Sequence, residues 1–148
     1  MTELPASVVN AAAFQPSAAE VASVHAWFAE YDARAAKADL TGLADLAMFP
    51  LNVVSDDSGG NGSAAQWDRD QYLAAMAHVV GGGDQPRMES VRTPHFLTGQ
   101  LVLVFTEATF TTGDHAQAVR YADLLVKRHG RWYFQTMVQG GWGDQLAG

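Results

Sequence analysis

Residues 101–139, LVLVFTEATFTTGDHAQAVRYADLLVKRHGRWYFQTMVQ, are cut by Gly113-Asp114 and His129-Gly130 into three runs: Leu101 to Thr112, Ala116 to Arg128 and Arg131 to Gln139. Each run is rich in β-branched and aromatic residues, and the dipeptides between them are turn formers, so each reads as a strand. A fourth run, Met88 to Phe96, lies upstream and is set off by Thr98-Gly99. Four strands joined by tight turns predict an antiparallel meander.

Ahead of the meander the period changes from two to 3.6. Residues 1–16 read as an Ala-rich tail, and Ser17 with Glu20 three positions on makes a capping box that opens a helix. Val21, Val24, Phe28, Tyr31 and Ala35 recur along one face of it. Asp39 is the expected N-cap of a shorter second helix that carries Leu43, Leu46 and Ala47 inward and stops at Pro50. Leu51 to Val54 then reads as a short strand, and 56–63 (Asp56-Asp57-Ser58 through Ser63) as a Gly-rich loop. Asp68 with Gln71 caps a third helix, which Gly81-Gly82-Gly83 would end. Helices first and strands after predict an α+β fold, one domain over residues 17–148, with helices on one face of a mostly antiparallel sheet.

Composition narrows the function. The 148 residues carry a net charge of −7 and no Lys/Arg cluster, so neither nucleic acid nor an anionic membrane surface is an expected partner. There is no cysteine, which removes disulfides and thiol nucleophiles. The five histidines show no i, i+4 pair or other ligand spacing, so no metal or cofactor is implied. Without a charged leader or an apolar run of about 20 residues, a soluble cytoplasmic protein is the expectation.

Four residues are candidates for catalysis. Tyr31 shares its stripe with Val24 and Phe28, so its phenol is expected to be buried and to need a partner, either a backbone carbonyl or a ligand oxygen. Asp123 lies between apolar neighbours, where a carboxylate must be paired, solvated or protonated. A surface pair with Arg120, Arg92 or Lys127 is the plain alternative. Asp56 and Asp57 follow a strand and could serve as a base at a pocket mouth, or simply be solvated turn residues. Phe28, His95, Glu107 and Trp132 are the candidate ligand contacts. Both faces of the last strand carry large apolar groups (Trp132, Tyr133, Phe134), so the outer sheet face is expected to be covered, most simply by a second copy of the chain.

The segment Ala38-Asp39-Leu40-Thr41-Gly42-Leu43 and the closing Lys127-Arg128-His129-Gly130-Arg131-Trp132, taken with this order of elements, resemble the NTF2-like superfamily, which includes SnoaL-like cyclases, ketosteroid isomerases and limonene epoxide hydrolases. The resemblance spans residues 17–142. It implies a cone-shaped fold, an internal pocket for a small apolar molecule and a homodimer. Aligned on Ala38-Asp39, the ketosteroid-isomerase pattern puts the oxyanion-hole tyrosine on Tyr31 and the second donor on Asp123. The general base falls near Ser55, so Asp56 or Asp57 would take that place with a shift of the strand by a residue or two. The epoxide-hydrolase pattern of Asp-Arg-Asp would draw on Asp123, Arg92 or Arg120 and another acid. Three expectations remain open: an isomerase, cyclase or hydrolase working by acid/base chemistry; a non-catalytic binding protein; and an interaction module with a filled cone.

Overall fold

The computed structural model describes residues 3–79 and 86–146; the helix stop expected at Gly81-Gly82-Gly83 lies outside them. The elements are α1 (Ala6–Ala11), α2 (Ala18–Ala36), α3 (Leu40–Ala44), β1 (Ala47–Asp56), β2 (Gly62–Trp67), α4 (Arg69–Val79), β3 (Arg87–Thr98), β4 (Leu101–Thr112), β5 (His115–Arg128), β6 (Arg131–Val138) and α5 (Gly143–Leu146). The six strands form one sheet in the order β2-β1-β6-β5-β4-β3. All neighbours are antiparallel except β1 and β6. The α+β architecture expected from the sequence is the one observed, and no helix among the described residues is long and apolar enough to cross a membrane.

Local signals act as read. The Ser17/Glu20 capping box forms in both directions. Asp68 and Gln71 make the same reciprocal pair, each bond 2.8 Å. The Asp39 carboxylate accepts from the Gly42 amide at 3.0 Å. Gly42 leaves room for that cap, since a Cβ there would lie 2.1 Å from an Asp39 oxygen. His129 and Gly130 both take positive φ, the geometry of a two-residue hairpin turn that follows the twist of β5 and β6.

Four elements depart from the sequence reading. The tail contains helix α1, which buries no residue. Strand β1 begins at Ala47 rather than Leu51, and Pro50 lies inside it. Proline is tolerated there because the β1–β6 ladder is interrupted between Ala47 and Asn52, and pairing with β2 starts only at Leu51. The Gln135 amide bridges the gap by donating to the Pro50 carbonyl. The loop is shorter than composition indicates: Ser63 to Trp67 pair with β1 as β2. The C-terminal residues turn back at Gly140-Gly141, and α5 packs on β1 and β2. Gly143 approaches so closely that a Cβ would lie 2.6 Å from the Asp56 carbonyl carbon and oxygen.

One core fills the space between α2, α3, α4 and the sheet. Val24 and Phe28 of α2, Leu43 of α3 and Tyr72 of α4 meet Leu51, Val102, Val104, Leu125 and Phe134 of the strands, all essentially without solvent exposure. Burial of each large apolar side chain contributes about 1.5–3 kcal/mol before conformational entropy is subtracted. Polar residues of β3, β4 and β5 interrupt this interior at one level.

Candidate active site

Strand alternation and register bring that polar level together. Arg92 pairs with Thr106 across β3–β4, and Thr106 with Tyr121 across β4–β5. Two residues further on the same face, Pro94 pairs with Val104, Val104 with Asp123, and Asp123 with Met137 of β6. Helix α2 adds Tyr31 and Asp32 above the sheet, and α4 adds Tyr72.

Arg92 is held on every side. Its side chain is 5% exposed, and its two terminal nitrogens donate to the two Asp32 oxygens at 2.5 and 3.0 Å. One of them also donates to the Tyr121 hydroxyl at 3.1 Å, and Nε donates to Thr106 Oγ1 at 3.3 Å. The guanidinium lies 4.2 Å from the Phe28 ring centroid, a cation–π contact. Burial opposes the Arg92 charge, but the Asp32 and Tyr121 contacts outweigh it and its pKa is raised.

Asp123 is buried, 9% exposed. Burial pushes its carboxyl pKa up from 3.8 to about 7, with Arg92 pulling weakly the other way. Three phenols lie within its field. Tyr31 is raised well above 10, first by burial of its hydroxyl end and then by Tyr72, Asp123 and Tyr121. Tyr72 and Tyr121 are raised too, chiefly by burial, with Asp123 adding in each case. All three therefore stay protonated and serve as donors at neutral pH. Tyr72 is fully buried, and its hydroxyl has no hydrogen-bond partner among the described residues; neither has the buried Trp27 Nε1. An unmet buried donor costs about 1–3 kcal/mol, which a ligand oxygen would relieve.

Aromatic rings wall the level. Trp27 stacks on Tyr31 at 5.6 Å between centroids, and Phe134 meets Trp27, Tyr31 and Tyr72 at 6.1, 5.8 and 5.9 Å. Phe28 sits edge-on to Tyr31 at 6.2 Å. The structure thus brings together three site candidates singled out by sequence, Tyr31, Asp123 and Phe28, with Arg92, one of the arginines considered as a partner of Asp123, and adds Tyr72, Tyr121, Asp32 and Trp27. Trp132 is buried in the same core, where its Nε1 donates to Ser23 Oγ at 3.1 Å.

The other candidates are elsewhere. Asp56 is exposed and accepts from the Gly141 amide at 2.7 Å. One Asp57 oxygen accepts from the Gly59 and Asn61 amides. Both carboxylates organise turns at the far end of β1 rather than a pocket mouth. Ser55, at the position where the resemblance puts a base, is buried and already engaged: its hydroxyl donates to the Gln139 carbonyl at 2.6 Å and accepts from the Trp142 amide at 2.8 Å. His95 and Glu107 point outward from β3 and β4 and are exposed, with His95 edge-on to Phe105 at 5.3 Å. Both fall on the alternate set of positions from Arg92 and Thr106, so the pleat turns them away from the interior.

No family model matches the sequence, and no curated protein does. Solved structures do match. An NTF2-like protein of unknown function from Pseudomonas putida KT2440 superimposes with a TM-score of 0.69 at 16% identity, covering 85% of this chain and 89% of that one. A candidate dehydratase of the NTF2-like family from Streptomyces avermitilis gives 0.65 at 13% identity, covering 84% and 97%. A ketosteroid isomerase-like protein from Erwinia carotovora atroseptica gives 0.58 at 16% identity, covering 84% and 97%. The fold is NTF2-like.

Proposed function

We propose that this NTF2-like chain binds a small, largely apolar organic molecule where Tyr31, Tyr72 and Asp123 meet, the core side chains that fill this space moving apart to admit it, and moves a proton on it with Asp123. The observation that carries this is a buried carboxyl with a pKa of about 7 beside the half-buried phenols of Tyr31 and Tyr121 and the buried phenol of Tyr72, whose hydroxyl has no hydrogen-bond partner among the described residues. Tyr31 and Tyr72 would hold a carbonyl or hydroxyl oxygen, and donors of this kind stabilise charge developing on oxygen. Asp123, half ionised near neutrality, would accept a proton from carbon in one protonation state and give one to oxygen in the other. Isomerisation or dehydration next to an oxygen function is the reaction class that fits. Asp56 and Asp57 have no part in it, because their oxygens hold turns.

The test is deuterium exchange into a panel of enolisable ketones, followed by NMR in D2O. Exchange above the buffer rate that disappears in Asp123→Asn supports the reading; no exchange and no saturable binding by any member overturns it. Tyr72→Phe separates binding from folding. Removing an unpaired hydroxyl is expected to leave the Tm of the free protein unchanged or raised, while ligand binding weakens roughly tenfold.

A second reading, binding without turnover, is favoured by Ser55, since a hydroxyl already engaged at both ends supplies no second base. Saturable binding with no exchange would select it.

Two copies of the chain would pair through the outer sheet face. Val91, Leu97, Phe105 and Val138 are 68, 55, 51 and 39% exposed there, an apolar surface more typical of an interface than of a free face. Sedimentation of the wild type as a dimer, shifted toward monomer by Phe105→Glu, is the expected result; a monomeric wild type sinks this part.

A further inference from the structure

We propose that Asp32 is a positioning residue: by occupying both terminal nitrogens of Arg92 it keeps that cation from pairing with Asp123. This rests on the reading of Asp123 above and deepens it.

Arg92 is a buried cation on the interior face of β3, one register level from Asp123 and near enough to bias its ionisation. One of its terminal nitrogens already reaches Tyr121, two residues from Asp123 on the same strand face, and a guanidinium turned onto the Asp123 carboxylate would fix it as an anion. It is instead turned toward α2. Asp32 takes both nitrogens, Tyr121 and Thr106 take two further N–H groups, and Phe28 covers one face of the guanidinium. No Arg92 nitrogen is hydrogen-bonded to Asp123.

The consequence reaches Tyr121 as well. Its oxygen accepts from Arg92, so its own proton remains to be donated, and Tyr121 stands two residues before Asp123 on the same strand face. The groups around Asp123 are then Tyr31 and Asp32 from α2, Tyr72 from α4, Arg92 from β3 and Tyr121 from β5, with Val104 and Met137 as its register neighbours on β4 and β6. Arg92 is the sole cation in this set, and Asp32 decides where it points.

The experiment is a carboxyl carbon NMR titration of Asp123 in the ligand-free full chain. Wild type is expected to titrate near 7. Asp32→Asn frees Arg92, and the Asp123 midpoint should fall by about one unit or more. Adding Arg92→Met to that variant should return the midpoint to the wild-type value or above, whereas Asp32→Glu should keep it close to wild type. A merely structural Asp32 would lower the Tm and leave the midpoint in place, and that outcome overturns the inference. Should Asp32→Asn fail to fold, Arg92→Met alone must raise the midpoint above wild type; a fall or no change overturns it equally. A wild-type Asp123 that titrates below about 5 defeats the site reading itself, so the two failures are distinguishable.

Discussion

Asp123→Asn should be more stable than the wild type at pH 8 and inactive in proton exchange. The folded carboxyl has its pKa raised from 3.8 to about 7 by burial, so between those values the native state holds a proton that the unfolded chain has released. Stability therefore falls as pH rises from about 4 and levels off above about 7. At roughly 1.4 kcal/mol per unit, the full loss is on the order of 4 kcal/mol. Asparagine never ionises and escapes it. Its buried amide has donors to satisfy in place of a carboxyl, at about 1–3 kcal/mol, so the net gain at pH 8 should be about 1–3 kcal/mol. Near pH 4 the advantage should vanish or reverse. Urea unfolding of both proteins at the two pH values reads this directly; a difference independent of pH would mean that Asp123 titrates in the folded protein as it does in the unfolded chain. A residue that costs the fold stability at the pH where it is half ionised is better explained by chemistry than by packing.

Phe134→Ala should be the most damaging single substitution in the interior. The ring is 1% exposed and touches Trp27, Tyr31 and Tyr72, while its backbone amide donates to Leu46 at the break in the β1–β6 ladder. Truncation of such a ring costs about 3–5 kcal/mol in chemical unfolding, part of it for the cavity left behind. Tyr31 and Tyr72 lose their common support at the same time, so if the proposed site holds, binding should weaken by more than stability alone accounts for. Phe134→Leu refills most of the volume and should recover most of the stability but less of the binding. Equal recovery of both would show that the ring does not position Tyr31 and Tyr72.

What could be read from the chain was local or periodic. The caps at Ser17, Asp39 and Asp68 depend on residues three apart, and the hairpins on two-residue turns, so both were visible without the fold. Tyr31 and Asp123 stood out because each puts a polar group on an apolar face. Arg92 was in view only as one of several possible partners of Asp123, and Asp32 not at all, since a charged residue on a helix is ordinary until its partner, 60 positions away, is known. Tyr72 lies four residues after the Asp68 cap, an ordinary place for a core aromatic, and only the absence of a partner for its hydroxyl among the described residues marks it. His95 and Glu107 were misplaced for a different reason. Their strands carry apolar residues on both faces, so alternation alone could not tell inside from outside; the helices made that choice. β2 was lost to its glycine-rich approach, and the strand around Pro50 to a rule that holds for unbroken ladders.

The parallel pair of β1 with β6 has a bearing on the order of assembly. The β2–β1 hairpin and the β3–β4–β5 meander share no strand contact except through β6. During synthesis, then, two half-sheets emerge tens of residues apart and have no strand ladder to join them until residues 131–138 leave the ribosome, only the helices that pack on both. Until that moment Leu51 and Leu125 lack the Phe134 ring between them, and Tyr31 and Tyr72 have no wall on that side. Long-range closure of this kind slows folding, and it makes the last strand the step at which a nascent chain either becomes a protein or becomes a client of chaperones.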